Sequence, residues 1–148
     1  MRVVVTEARQ GQSVIGKDSH VDPAAAPGMR LGLLWGSDDA PPDVPGTENK
    51  ASAGPDGYFP SVGGYRATLV EFDPSPSLTT TDGLHQADTV DVVWIISGEL
   101  GCNLDSGETV WLVAGDLIVV TGANHQWLNR TDTVAKAGFV TLGARRRE

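Results

Sequence analysis

Apolar residues in this chain come in runs of four to eight, rich in Val, Ile, Leu and Trp, and almost nothing recurs at helical spacing over ten residues or more. Short apolar runs bounded by turn residues are strands, so the chain is expected to be all-β. The predicted strands are Arg2–Thr6, Ser13–Ile15, Leu31–Trp35, Arg66–Phe72, Val90–Ile96, Leu100–Asn103, Thr109–Val113, Leu117–Val120, Gln126–Asn129 and Ala135–Leu142. Between the later ones stand Ser97-Gly98-Glu99, Asp105-Ser106-Gly107, Ala114-Gly115-Asp116 and Thr131-Asp132, residues that reach positive φ or bond their own backbone. They predict a tight antiparallel meander from about residue 85 to residue 142.

A chain of 148 residues is long enough to bury one core without staples, so residues 1–148 are expected to form a single domain with a barrel core at about 66–142. Ahead of that core lie an N-terminal arm and the irregular segment Gly36–Gly64, where Pro41, Pro42, Pro45, Pro55 and Pro60 alternate with Gly, Asp and Ser. So long a structureless loop in a compact domain is expected to cover one end of the barrel or a partner subunit. A second irregular stretch runs from Asp73 to Gly83. The single cysteine, Cys102, excludes an internal disulfide and any zinc site of two thiolates, in keeping with a reducing cytoplasm. With 11 Lys+Arg against 19 Asp+Glu, the net charge of −8 argues against a nucleic-acid partner. Arg145-Arg146-Arg147 reads as a solubilising end. No window supplies a signal-peptide core or a membrane span, so a soluble protein is expected.

Phosphate loops, nucleophile elbows and HExxH are absent, which leaves three histidines and their neighbouring carboxylates to carry chemistry. His85 and His125 each stand where the chain enters a predicted strand. Two imidazoles and a carboxylate from neighbouring strands are a ligand set that one divalent Fe, Mn, Zn or Ni ion accepts, with positions left open for substrate. Fully extended, His85 and Asp91 would lie about 20 Å apart. Either the chain turns a corner within Gln86–Thr89, or Asp88 or a water serves in place of Asp91. His20 lies in a polar turn and Cys102 inside a strand without a neighbouring cation; neither is expected to act.

The segments around these histidines resemble the two motifs of the cupin superfamily, G(X)5HXH(X)3–4E(X)6G and G(X)5PXG(X)2H(X)3N. Gly122, His125 and Asn129 stand in register with the second, with Val120 in place of the proline. In the first, His85 and Gly98 match, Ala87 stands where the second histidine would be, and Asp91 stands for the glutamate. Leu34-Trp35-Gly36-Ser37-Asp38, His85-x-x-Asp88-Thr89-Val90-Asp91, Ser97-Gly98-Glu99 and Gly122-x-Asn124-His125-x-Trp127-x-Asn129-Arg130 are similar to small bacterial and fungal single-domain cupins whose first motif reads H-x-T-D-T-x-D. The resemblance implies a cupin, or jelly-roll, β-barrel (a double-stranded β-helix). It also implies a two-fold dimer, and a metal held by His85, Asp91 and His125.

Alternation along strands places Asp91, Val93 and Ile95 on one face and Trp94 on the other, packed on the second sheet or a partner. It also sets His125, Trp127 and Asn129 on one face, which makes Trp127 a candidate pocket wall and Asn129 a candidate donor to substrate. A negatively charged substrate would need a cation, and Arg66, or else Arg130, is placed to supply it. The expected function is a metal-dependent lyase, decarboxylating or dehydrating, or a cyclase or isomerase, acting on a small oxygenated or polyketide-like metabolite through a metal-stabilised enolate. Two rivals are an Fe-dependent dioxygenase and a cupin that binds a small molecule without turning it over.

Overall fold

The computed structural model describes residues 1–10, 12–38, 48–51, 58–75 and 83–147. The middle of the Gly36–Gly64 loop and most of the Asp73–Gly83 stretch lie outside the described residues. Eleven strands are described: β1 (Arg2–Arg9), β2 (Gln12–His20), β3 (Ala24–Ala26), β4 (Met29–Ser37), β5 (Tyr65–Phe72), β6 (Thr89–Ser97), β7 (Glu99–Leu104), β8 (Thr109–Val113), β9 (Leu117–Thr121), β10 (His125–Leu128) and β11 (Ala135–Gly143). The chain is all-β, and among the described residues no helix is long and apolar enough to cross a membrane.

The strands form a six-stranded sheet in the order β3-β4-β5-β11-β6-β9, a three-stranded sheet β10-β7-β8, and the separate hairpin β1-β2. The expected meander is therefore corrected. From β6 onward only β7 and β8 are both consecutive and paired, and the chain otherwise passes back and forth between the sheets. Turn residues mark where a strand stops and carry no information on which sheet the next one joins. At Gly98 (φ 80°) a Cβ would come within 3.0 Å of Ala135 Cα, so only glycine fits the corner that carries the chain from one sheet to the other.

The barrel also begins earlier than residue 66, because β4 pairs with β5 and β3 pairs with β4. Three alanines in a row have little strand preference of their own, so β3 left no signal in the sequence. Its backbone is held by pairing Ala24 with Leu31 and Ala26 with Met29.

Strict alternation governs β11, where Ala135, Ala137, Phe139 and Thr141 point inward. Val70 and Phe72 of β5, Val93 and Ile95 of β6, and Leu100 and Leu112 of the smaller sheet meet them in one core. Trp94 points away from this core, as expected, and faces solvent at 44% exposure instead of packing on the second sheet. The inward residues change character along the barrel. Around Phe72 they are apolar, whereas at the other end Arg66, Thr141 and Asp91 form a polar row across β5, β11 and β6.

Candidate functional site

The core leaves a cavity of about 870 Å³ between the sheets, lined mainly by apolar side chains, with His85, His125, Asp91 and Tyr58 as its titratable groups. The chain bends at Asp88, the first of the two alternatives the sequence left open, so that His85 and Asp91 both reach this cavity. His85 sits at its edge, exposed, and His125 is buried. Their backbones pair through two hydrogen bonds of 2.9 Å, and their rings stand 4.5 Å apart.

Each imidazole is oriented by its own loop. His85 Nδ1 lies 3.0 Å from the Gly83 carbonyl and His125 Nδ1 lies 2.9 Å from the Ala123 carbonyl. A carbonyl can only accept, so in both rings Nδ1 carries the proton, and in the neutral ring Nε2 keeps its lone pair. Burial, reinforced by His85 alongside, pushes His125 below the ordinary imidazole pKa; the Ala123 hydrogen bond and the Asp91 charge oppose that shift. His125 is thus neutral at pH 7. The Tyr58 phenol is pushed up to about 12, by removal from water and then by Asp91, and remains a proton donor.

The three-ligand metal set is not assembled. Among the described residues no three His, Cys, Asp or Glu side chains converge closely enough to hold an ion. Asp91 Oδ2 accepts a 3.0 Å hydrogen bond from Thr89 Oγ1. As placed, these residues do not fit a metal held by two histidines and a carboxylate. Asp88, the alternative carboxylate, faces outward and pairs with Arg146 at 2.7 Å.

The expected substrate-binding residues divide. Trp127 does line the cavity, edge-on to the His125 ring at 5.5 Å. Asn129 does not: its amide nitrogen donates to the Phe72 and Thr133 carbonyls, and its oxygen accepts from the Thr131 N–H and hydroxyl. Arg66 enters the barrel as expected and is 1% exposed, but it is not among the cavity-lining residues. Its guanidinium donates to Asp38 at 2.7 Å and to the Ser37 and Tyr65 carbonyls. Arg130 lies over the Trp111 ring and pairs with Glu99. Cys102 is buried and its thiol is pushed up to about 11, which leaves it unreactive.

Sequence reasoning missed Tyr58 and Phe59, whose rings meet edge-to-face at 4.8 Å on the cavity wall. Two adjacent aromatics in a stretch otherwise made of Pro, Gly, Asp and Ser were the available signal. Both belong to the Gly36–Gly64 loop, whose middle lies outside the described residues. Met29 and Leu31 also line the cavity, from a strand placed outside the expected barrel core.

No protein-family model matches the chain. Over 63 residues, 42% of this chain, it is 40% identical to the phomopsin biosynthesis cluster protein C′ of Diaporthe leptostromiformis; the chain spans only 33% of that relative. A cupin 2 conserved barrel domain protein from Salinispora arenicola superposes with a TM-score of 0.54 at 18% identity, covering 82% of this chain and 81% of its own. The polyketide cyclase RemF from Streptomyces resistomycificus superposes with a TM-score of 0.50 at 17% identity, covering 97% of this chain and 77% of its own.

Proposed function

The chain has the cupin fold, and from that premise we propose that it is a biosynthetic enzyme, a cyclase, isomerase or dehydrating lyase that enolises a small oxygenated metabolite in its cavity. The observation that carries this reading is the imidazole pair, with both Nδ1 protons held by carbonyls and both rings lining an apolar cavity. A biosynthetic role is in keeping with the biosynthesis-cluster relative, and a cyclase role with the polyketide cyclase of like fold.

In this mechanism neutral His125 takes a proton from the carbon next to a substrate carbonyl through Nε2. Tyr58, protonated up to a pH of about 12, donates a hydrogen bond to the enolate oxygen. His85, beside His125 and exposed at the edge, exchanges protons with solvent and returns one to the product. The enolate then expels a β-hydroxyl, which leaves as water with the proton that His125 took up, or attacks a second carbonyl, whose oxygen takes up that proton as the ring closes. Decarboxylation draws no support from the lining, because among the described residues no Lys or Arg reaches the cavity to seat a carboxylate.

A second reading keeps the divalent ion (Zn, Mn, Fe or Ni) on the two Nε2 atoms alone. The closeness of the two rings favours it, and such an ion would supply Lewis-acid stabilisation to an enolate.

The test is deuterium exchange at the α-carbon of α-tetralone in deuterium oxide, followed by NMR, together with elemental analysis of the purified protein. Exchange above the buffer rate is expected, and its loss in His125→Gln. Binding without exchange would overturn the enzyme reading in favour of a binding cupin, and Fe(II)-dependent oxygen uptake would overturn it in favour of a dioxygenase.

A further inference from the structure

Asp91 is 8% exposed, accepts one hydrogen bond, from Thr89 Oγ1, and takes part in no ion pair among the described residues. A carboxylate buried with so few donors is costly unless something brings it a positive charge or further N–H groups. Neither histidine reaches it with Nδ1. That N–H of each ring already points at a backbone carbonyl, Gly83 or Ala123. Arg66 lies in the same row of the sheet with Thr141 between them, yet its guanidinium is bonded to Asp38 and to two carbonyls and does not line the cavity. The stretches 39–47, 52–57 and 76–82, outside the described residues, contain no Lys, Arg or His at all.

The remainder of the cavity complements a cation of a particular kind. Trp127, Phe72 and Phe139 form one aromatic cluster with ring centroids 5.5 to 6.2 Å apart, and all three line the space that Asp91 faces. Phe139 is the inward residue next to Thr141 on β11 and so stands nearest the Asp91 row, with Trp127 against it and Phe72 further down the barrel. Aromatic rings in one cavity with a carboxylate favour ammonium groups, through the ring quadrupole and through the opposite charge. The net charge of −8 draws cations towards the protein and repels anions.

We propose that the ligand of this cavity is an amine, protonated in solution, on an apolar body, with its nitrogen seated against Asp91 and its body against Phe139 and Trp127. This rests on the reading that the cavity is the substrate site, and it narrows the substrate class to amino-bearing, non-acidic metabolites.

The test is isothermal titration of phenethylamine, phenethyl alcohol and phenylacetate, three probes of similar size and different charge, with EDTA present so that no metal competes for Asp91. Phenethylamine is expected to bind about tenfold tighter than the alcohol, and phenylacetate weakest of all. In Asp91→Asn, whose amide oxygen can still accept from Thr89, the amine should lose its advantage and fall to the affinity of the alcohol. Equal affinities for amine and alcohol in the wild type, or an amine preference that survives in Asp91→Asn, would overturn the proposal. If α-tetralone still exchanges in that case, the enzyme reading stands and only the amine is lost. If none of the probes binds and α-tetralone does not exchange, both readings fall together.

Discussion

The two ends of β10 carry buried polar side chains in opposite states. Just past its C-terminal end, Asn129 is 1% exposed and bonded at both amide atoms, at distances of 2.7 to 3.1 Å, tying Phe72 to the Thr131–Thr133 turn. At its N-terminal end, His125 is 5% exposed, bonded at Nδ1 only, and turned to a cavity. Alternation in the sequence puts both on one face and so makes both candidates for the site. Saturation separates them, because a side chain whose donors and acceptors are all bonded within the fold has nothing left for a ligand.

That contrast predicts opposite phenotypes. Asn129→Ala takes the amide from the Phe72 carbonyl and the Thr131 N–H, while the Thr131 hydroxyl and the Thr133 carbonyl still bond each other. Unfolding in urea should therefore show a loss of about 2 kcal/mol, while protein that remains folded binds the cavity probes as before. A loss well under 1 kcal/mol would mean that water replaces the amide, and the contrast would fail. His125→Gln should do the reverse: stability within about 1 kcal/mol of wild type, and α-tetralone exchange down at least ~100-fold. An unstable protein with normal exchange would make His125 scaffold.

The same contrast shows how far the sequence is readable. Strand identity was legible from short apolar runs with turn glycines, and for Thr109–Val113 even the ends agree. Sheet order was not, since the choice between neighbours at Gly98 depends on which sheet has room for the next strand. Within the site, His85, His125, Asp91 and Trp127 were legible from position and parity. The fates of Arg66 and Asp88 were not, because their partners, Asp38 and Arg146, come from 28 and 58 residues away. Nor did parity reveal Tyr58, which reaches the cavity from an irregular segment.

A pH dependence sharpens the comparison further, with a smaller effect. Burial lowers the His125 pKa in the folded state, so the fold favours the neutral ring. Its contribution to stability is complete above the ordinary imidazole range, near 6.5, and is lost as pH falls through the folded-state value. Melting temperatures of wild type and His125→Gln, compared from pH 7.5 down to 5, should therefore diverge, with the wild type losing more. Parallel curves would show that the ring titrates alike in both states and is not held in the neutral form.

The smallest effect concerns the end of the chain. Arg146, read from sequence as part of a solubilising end, pairs with Asp88 and reaches the Ala87 and Gly122 carbonyls at 3.3 and 3.5 Å; Ala144 N–H also donates to the Asp88 carbonyl. It thereby ties the segment that carries His85 to the turn that carries His125. Both partners of the ion pair are about half exposed, so the pair itself is worth under about 1 kcal/mol. Its effect should show in positioning and not in stability. Arg146→Ala should melt almost as the wild type does and exchange α-tetralone a few-fold more slowly, with partial recovery in Arg146→Lys, because lysine can pair with Asp88 without spanning to Gly122. Unchanged exchange in Arg146→Ala would assign the spacing of the two rings to the paired backbone of His85 and His125 alone.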